Sequence, residues 1–418
     1  MRFEGELLSP PKLRFDYALR SKIEENPFRG IQKYGPYDGG QLPFSKVNVG
    51  IIFPSGYSDV KEAIKLGMTE GEGRFRGFKS LFRIPLEFTF EREYANSLQL
   101  RSSLRNIPSD CDFVFVILPH YDVNEYSFVK RELLLNGILN QVVTGDKIRK
   151  RKSEGSLVWT LTNIALSMYA KLGGIPWLID ARHDRKELII GVSRVQDKSG
   201  KYVAGFVTLF SQFGDYLFLE SRSPVVEWDK YIEGLRDLII DAFIEYLGNE
   251  GEPDVLILHF HKNPGRREIE AVTTALNELK IDIPYALVHL NEYSNYRIFD
   301  TTMPNFVPER GLKVNLSPIQ ALLLIDGNIN GKRNRMGTPH PLEIRLDKRS
   351  TIDRSEFPYL VKQVYDFSYV NWRGFNARSS PVTINYPKLI AKLVLTVGPS
   401  NWNNVLANGR LKDKAWFL

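Results

Sequence analysis

Cysteine is all but missing: Cys111 is the only one in 418 residues. That excludes an internal disulfide framework and a thiolate zinc cluster, and it points to a reducing, cytoplasmic setting. Cys111 borders an apolar run and reads as core, not as a nucleophile. Histidine is scarce too, with six residues. His259 and His261 stand two apart and would share one face of a strand, but no third ligand follows at metal-site spacing. A packed or hydrogen-bonded pair is the simpler expectation. Long apolar runs are absent; segments such as 113–119 are too short to span a bilayer. The opening MRFEGELLSPPKLRF has no apolar stretch of the signal-peptide kind. No glycine-rich fingerprint follows a strand, which argues against a nucleotide cofactor. No G-x-S-x-G elbow, no Ser/His/Asp arrangement and no internal repeat emerges.

What is present is ordinary for a soluble globular protein: 43% hydrophobic and 25% charged residues. A net charge of +7 and 12% aromatics permit nucleic-acid binding without requiring it. The length suits two large domains. Residues 1–45, rich in Pro, Gly and charge, read as an extended strap with little core of its own. From residue 46 to 172, apolar strands alternate with amphipathic helices: strands at 47–53, 82–89 and 113–118, helices at 57–66, 96–105 and 157–171, and a helix through Tyr126. This alternation predicts a doubly wound, Rossmann-like α/β domain with a parallel sheet. Ligands in such folds sit at the carboxyl ends of strands, where His120, Tyr121 and Asp122 would lie. From residue 173 to 418, three successive strands (187–196, 201–211, 215–221, with a turn at 197–200) precede a helix at 226–247. Strands at 254–261, 285–290, 313–315 and 320–325 then alternate with helices at 266–279, 354–365 and 386–395. An antiparallel start followed by alternation is the layout of an RNase H-like domain. The basic run GKRNRM (331–336) is either a solvated face or a phosphate contact.

One stretch carries chemistry. Tyr126 and Lys130 are four apart and share a helical face. Gln141 follows at the end of that helix, and Lys171 closes the next helix before Gly173 and Gly174. A ring that stacks on a base, lysines that neutralise phosphate and an amide that donates to it can hold a nucleic-acid 5′ end. The same residues also fit a plain structural reading. Tyr126, Val129 and Leu133 have core-facing spacing, and a lysine at Lys171 suits any helix C-terminus.

These four residues resemble the Tyr-Lys-Gln-Lys guide-end pocket of the Argonaute MID domain. KLGGIPW (171–177) is similar to the family's MID–PIWI junction, IQKYGPYDG (31–39) to the lead-in of short archaeal Argonautes, and NWRGFNARSSPVTINYPKLIAKLV (371–394) with the final WFL (416–418) to the end of a PIWI domain. The resemblance covers nearly the whole chain. It implies a short prokaryotic Argonaute: a strap (1–45), a MID domain (46–172) that binds the guide 5′ phosphate, and an RNase H-like PIWI domain (173–418). It further implies that the Leu418 carboxylate helps hold Mg²⁺ between guide phosphates. Arg373, Arg378, Ser379 and Ser380 would contact guide or target backbone. The implied partners are a short guide, RNA by likeness to the short branch, a complementary DNA target, and a separately encoded effector in defence against plasmids and viruses.

A PIWI nuclease needs converging carboxylates for two metal ions. By the resemblance, Ser193, His261 and Lys388 stand where the ligands are expected, and a lysine opposes metal charge. A catalytically inactive PIWI domain is therefore expected. The alternatives are a guided RNase H-like endonuclease with an unusual active site, and an unguided nucleic-acid-binding scaffold.

Overall fold

Six consecutive apolar residues, FVFVIL, form the strand Phe113–Leu118 in the computed structural model, buried at every position. Such a run needs cover on both faces, which a parallel sheet with helices on either side supplies. The strand lies between Val47–Pro54 and Leu139–Thr144, and Leu86–Tyr94 forms the far edge; every pairing is parallel. The helices of this layer are Ser58–Thr69, Ser97–Arg105, Val123–Leu135, Gly145–Ser153 and Leu157–Lys171. Two start at side-chain caps. Asn96 accepts from the amides of Leu98 and Gln99, and Asp122 from those of Asn124 and Glu125, satisfying donors that the first turn leaves free.

The structure describes the chain apart from residues 1–2, 182–184, 194–205, 222–224, 226, 262–263, 281, 330–336, 377–379 and 412–413. The predicted turn at 197–200 and the basic run 331–336 lie outside the described residues. Within them a nine-stranded sheet runs in the order 5–7, 312–317, 320–323, 342–346, 285–291, 255–261, 187–193, 206–211, 216–221. Only Val255–His261 is parallel to its neighbours, Glu187–Ser193 and Tyr285–Asn291; the other pairs are antiparallel. The helices Trp228–Glu250 and Arg266–Glu278 pack Leu235, Ile239, Ile269 and Val272 against Ile190, Leu256 and Leu258.

The two compact units are not sequential. One comprises Met1–Lys12, Ile179–Asn371 and Asn376–Ala391; the other comprises Leu13–Leu178, Trp372–Phe375 and Lys392–Leu418. The expected strap is thus divided. Gly5–Leu7 adds an edge strand beside Leu312–Ser317, while Leu13–Arg14, Ile23–Glu24 and the helix Pro27–Tyr34 belong to the parallel-sheet unit.

Several local expectations shift, each for a physical reason. The strand expected at 82–89 begins only after Pro85, whose carbonyl accepts the Val47 amide (3.0 Å), and 78–82 is a helical turn. Gln141 does not end a helix: that helix stops at Leu135, Gly137 turns the chain at φ 66°, and Gln141 lies on Leu139–Thr144. The polar stretch before residue 157 hides the helix Gly145–Ser153, so charged that no apolar stripe announces it. The last long helix begins at Val382, four residues before Tyr386, and carries Pro387 in its first turns.

At the centre of the larger sheet, Gly191 lies beside His259 and Thr208. A Cβ on Gly191 would come within 1.9 Å of the Thr383 carbonyl oxygen, so the start of the Val382–Val397 helix rests directly on the strand backbone. Gly191→Ala should therefore destabilise the protein by about 1–3 kcal/mol, the cost of overpacking a filled core. Denaturant melts check this, and an unchanged midpoint would show that the helix is free to move.

Candidate nucleic-acid interface

Of the lysines buried in the parallel-sheet unit, Lys61 is paired with Glu62 and Glu91, while Lys130 at 6% exposure and Lys171 at 0% are not paired with a carboxylate among the described residues. The latter two meet at the edge strand. Lys130 Nζ donates to Asn140 Oδ1 (2.8 Å); Lys171 Nζ donates to the Asn140 carbonyl (3.0 Å) and to Gln141 Oε1 (2.8 Å). Among the described residues neither amine meets a carboxylate. Burial, followed by the Arg373 charge, pushes Lys130 down to about 7. Burial, then Lys130, then Arg373, lowers Lys171 well below the usual lysine range. A cluster of this kind stores a cost that an incoming anion removes, because the anion restores the charged form that burial disfavours.

Tyr126 is half-buried, one turn before Lys130, whose Nζ lies 5.9 Å from the ring centroid. It packs against the core around Val129 and Leu133 and also faces Tyr121 at 6.1 Å, an exposed residue of the loop before the helix. The packed and the stacking readings of this ring are therefore compatible. Burial raises its hydroxyl and Arg373 acts against that. Gln141 turns its oxygen to Lys171 and its nitrogen to the Val142 carbonyl (3.1 Å).

Two members of the cluster were not legible as such. Asn140 joins the lysines: its side-chain oxygen serves one, its backbone carbonyl serves the other, and its nitrogen donates to the Ile138 carbonyl (2.9 Å). Its signal was faint, a polar residue beside Gln141 in the six-residue strand LNQVVT. Arg373, read as a backbone contact, lies in the same unit as the lysines, and its charge acts on Tyr126, Lys130 and Lys171. The cluster also differs in place from the strand-end rim expected for such a sheet. Asn140 and Gln141 are in the amino-terminal half of their strand, and Lys171 is at a helix C-terminus. Leu418 is buried in this unit after Trp416 and Phe417, and its amide donates to the Ala415 carbonyl (3.2 Å). Ser380 is buried just ahead of the Val382–Val397 helix; Arg378 and Ser379 lie outside the described residues.

The expected ligand positions of the other unit hold a different arrangement. Ser193 ends its strand, 2% exposed, and lines a small cavity with His261, Tyr231 and Glu268. His261 Nε2 lies 3.0 Å from Glu292 Oε2, and Lys388 pairs with the same oxygen. Burial would raise the Glu292 carboxyl, but His261 and Lys388 outweigh it and hold it at about 2. His259 is fully buried, hydrogen-bonds Thr383 Oγ1 (2.9 Å), and is pushed down to about 3 by burial. Among the described residues no three His, Cys, Asp or Glu side chains gather as a metal site. Cys111 is buried, and burial pushes its thiol up to about 11. None of the described helices is long and apolar enough to cross a membrane.

A Piwi-domain family model matches residues 113–398. The chain is 26% identical over 411 residues to a Piwi protein of Archaeoglobus fulgidus, covering 93% of each. It is 24% identical to an argonaute of Cereibacter sphaeroides, covering 98% of this chain and 58% of that one. Among solved structures, Clostridium butyricum Argonaute bound to a guide DNA and a 19-mer target DNA superposes with a TM-score of 0.75 at 18% identity, over 95% of this chain and 53% of that one. A structure of Aa-Ago with externally bound siRNA gives 0.66 at 20% identity, over 94% and 54%. The chain thus spans nearly all of the A. fulgidus protein and little more than half of these other three.

The lysine cluster makes a pH prediction. Between about 7 and the ordinary lysine value near 10.4, the unfolded chain keeps a proton that folded, ligand-free Lys130 has lost. Stability should therefore rise with pH across that window, and the penalty is fully present below it. Denaturation midpoints from pH 7 to 9.5 should climb in the wild type and climb less in Lys130→Met. An identical slope in both proteins would count against a depressed Lys130.

Proposed function

The chain belongs to the Piwi-domain family, and from that premise we propose that it is a guide-dependent nucleic-acid binder of the short prokaryotic Argonaute type. It holds the 5′ phosphate of a short guide RNA in the Tyr126–Lys130–Gln141–Lys171 cluster and pairs that guide with a DNA target. The observation that carries this reading is two buried amines converging on Asn140 and Gln141 with no carboxylate beside them. A 5′ phosphate supplies the missing anion, Tyr126 offers a ring to the first base, and Arg373 extends the positive field to the phosphate that follows. Base pairing by the guide would supply sequence specificity, with the protein reading backbone and shape. The MID division at 46–172 and the PIWI division at 173–418 belong to the same proposal, with residues 392–418 serving the MID side.

Mg²⁺ at the guide end is part of the reading. The Leu418 carboxylate is a hard oxygen donor, and this ion takes one or two carboxylates together with phosphate oxygens and water. Those residues fit it, and the ion would screen the carboxylate from the guide phosphates.

The second half of the proposal is that the target is bound and not cut. Of the carboxylates beside the expected metal positions, Glu292 is engaged by Lys388 and His261, and Glu268 by the Tyr231 hydroxyl and the Gly265 amide. An ammonium within the site opposes the two cations that hydrolysis needs. Recognition would then be passed to a separately encoded effector in antiviral and anti-plasmid defence.

Lys130→Ala with Lys171→Ala should weaken a 5′-phosphorylated RNA far more than its 5′-hydroxyl twin. The log–log salt slope should fall by roughly 0.7 per lost contact. Tyr126→Ala should cost about 1–3 kcal/mol of binding. Equal losses for both oligonucleotides would remove the phosphate role.

For cleavage, protein loaded with a 5′-phosphorylated guide and given labelled DNA or RNA target should leave it intact across Mg²⁺ and Mn²⁺ series. Cuts at one fixed distance from the guide 5′ end would instead establish a guided endonuclease.

A further inference from the structure

We propose that Asp38 is a positioning residue of the phosphate pocket, its carboxylate clamping both arms of the helix end that carries Lys171. The inference rests on reading that pocket as a 5′-phosphate site. It gives a role to the IQKYGPYDG segment, which the pocket itself does not use.

Asp38 Oδ1 accepts from the Tyr169 hydroxyl and from the Gly40 amide (3.1 Å), and Oδ2 accepts from the Ile175 amide (2.8 Å). Tyr169 lies two residues before Lys171 and Ile175 four after it, so one carboxylate grips the chain on each side of the lysine. The Tyr37 amide adds a further tie to the Pro176 carbonyl (2.9 Å). Between these anchors the backbone turns sharply. Gly173 has φ 101°, and the Gly174 amide returns to the Tyr169 carbonyl (3.0 Å). A Cβ on Gly174 would strike the Tyr169 ring at 2.3 Å, so the chain passes directly over that ring. Phe82 stacks on the same ring at 4.4 Å with an interplanar angle of 16°.

Tyr169 is therefore held by packing, and its hydroxyl is held by Asp38. Burial raises the Asp38 carboxyl, and its three hydrogen bonds work against that. An acceptor on Asp38 is what fixes the rotation of the last helical turn. Lys171, fully buried, reaches Asn140 and Gln141 only from the far side of that turn. A long side chain whose root is fixed loses less freedom on meeting a phosphate than one whose helix end frays.

A purely structural clamp would weaken the whole protein and all binding alike; a positioning clamp acts on the phosphate contact. The variants are Asp38→Asn, which keeps the size but replaces one of the two accepting oxygens by an N–H donor, and Tyr169→Phe, which keeps the stacked ring and loses only the hydroxyl. The probe is one short single-stranded RNA sequence, prepared with a 5′ phosphate and with a 5′ hydroxyl, and the readout is the ratio of the two affinities. In each variant this ratio should fall by about tenfold, the effect of losing one charge-assisted hydrogen bond, while 5′-hydroxyl affinity stays near that of the wild type. A wild-type ratio in folded Tyr169→Phe overturns the proposal, whether or not Asp38→Asn folds. If the wild type itself shows no preference for the phosphate, the pocket reading fails and the clamp fails with it; a wild-type preference that both variants retain rejects the clamp alone.

Discussion

Two amines are held out of water with only neutral acceptors for company, and the parallel-sheet unit is arranged around that constraint. Lysine is almost never fully buried without a paired charge. Here Asn140 makes it possible, receiving Lys130 at its side chain and Lys171 at its backbone. The edge position of Leu139–Thr144 matters for the same reason: an edge strand has carbonyls left over from the sheet ladder, and one of them receives Lys171. The helix ending at Lys171 and the helix carrying Lys130 each bring one amine to this strand, and the turn at Gly173 and Gly174 follows the end of the first.

The two candidate sites invert one another electrostatically. In the parallel-sheet unit, two buried amines have no carboxylate beside them among the described residues. In the nine-stranded unit, Glu292 is engaged by Lys388 and His261, and Glu268 by the Tyr231 hydroxyl and the Gly265 amide. Glu292 at about 2 means that its charge is stabilised by those partners at any physiological pH. A site in this condition is satisfied, while the lysine cluster is not.

Much of this could be read in the chain. The fully apolar FVFVIL and the alternation of strands and helices foretold the parallel sheet, and Tyr126, Lys130, Gln141 and Lys171 marked the cluster. Asn140 was not legible because a single buried amide in a strand looks like any loop-proximal polar residue. Arg373 was recognised as a guide or target backbone contact, but its effect on the lysines was not legible, since two hundred positions of sequence separate it from Lys171 and only the folded chain brings its field there. The helix Gly145–Ser153 was missed because it has charge where an amphipathic stripe should be. The strand Leu342–Leu346 lacked any bounding signal stronger than its neighbours'. Pro387 hid the true start of its helix: proline suits a first helical position and so drew the expected start to Tyr386, whereas it is the sixth residue of Val382–Val397.

The alternation of the two units along the chain has a consequence for how the protein comes into being. Residues 5–7 join a sheet whose partner strand is made three hundred residues later, and the parallel-sheet unit receives Trp372–Phe375 and Lys392–Leu418 only after most of the other unit has been made. Neither unit can close before its own late segments emerge. Long-range closures of this kind are slow to form and expose apolar strands meanwhile. The field of Arg373 reaches the lysines only once some two hundred residues beyond Lys171 have been made. Until then a growing chain carries its two lysine positions without their full electrostatic setting.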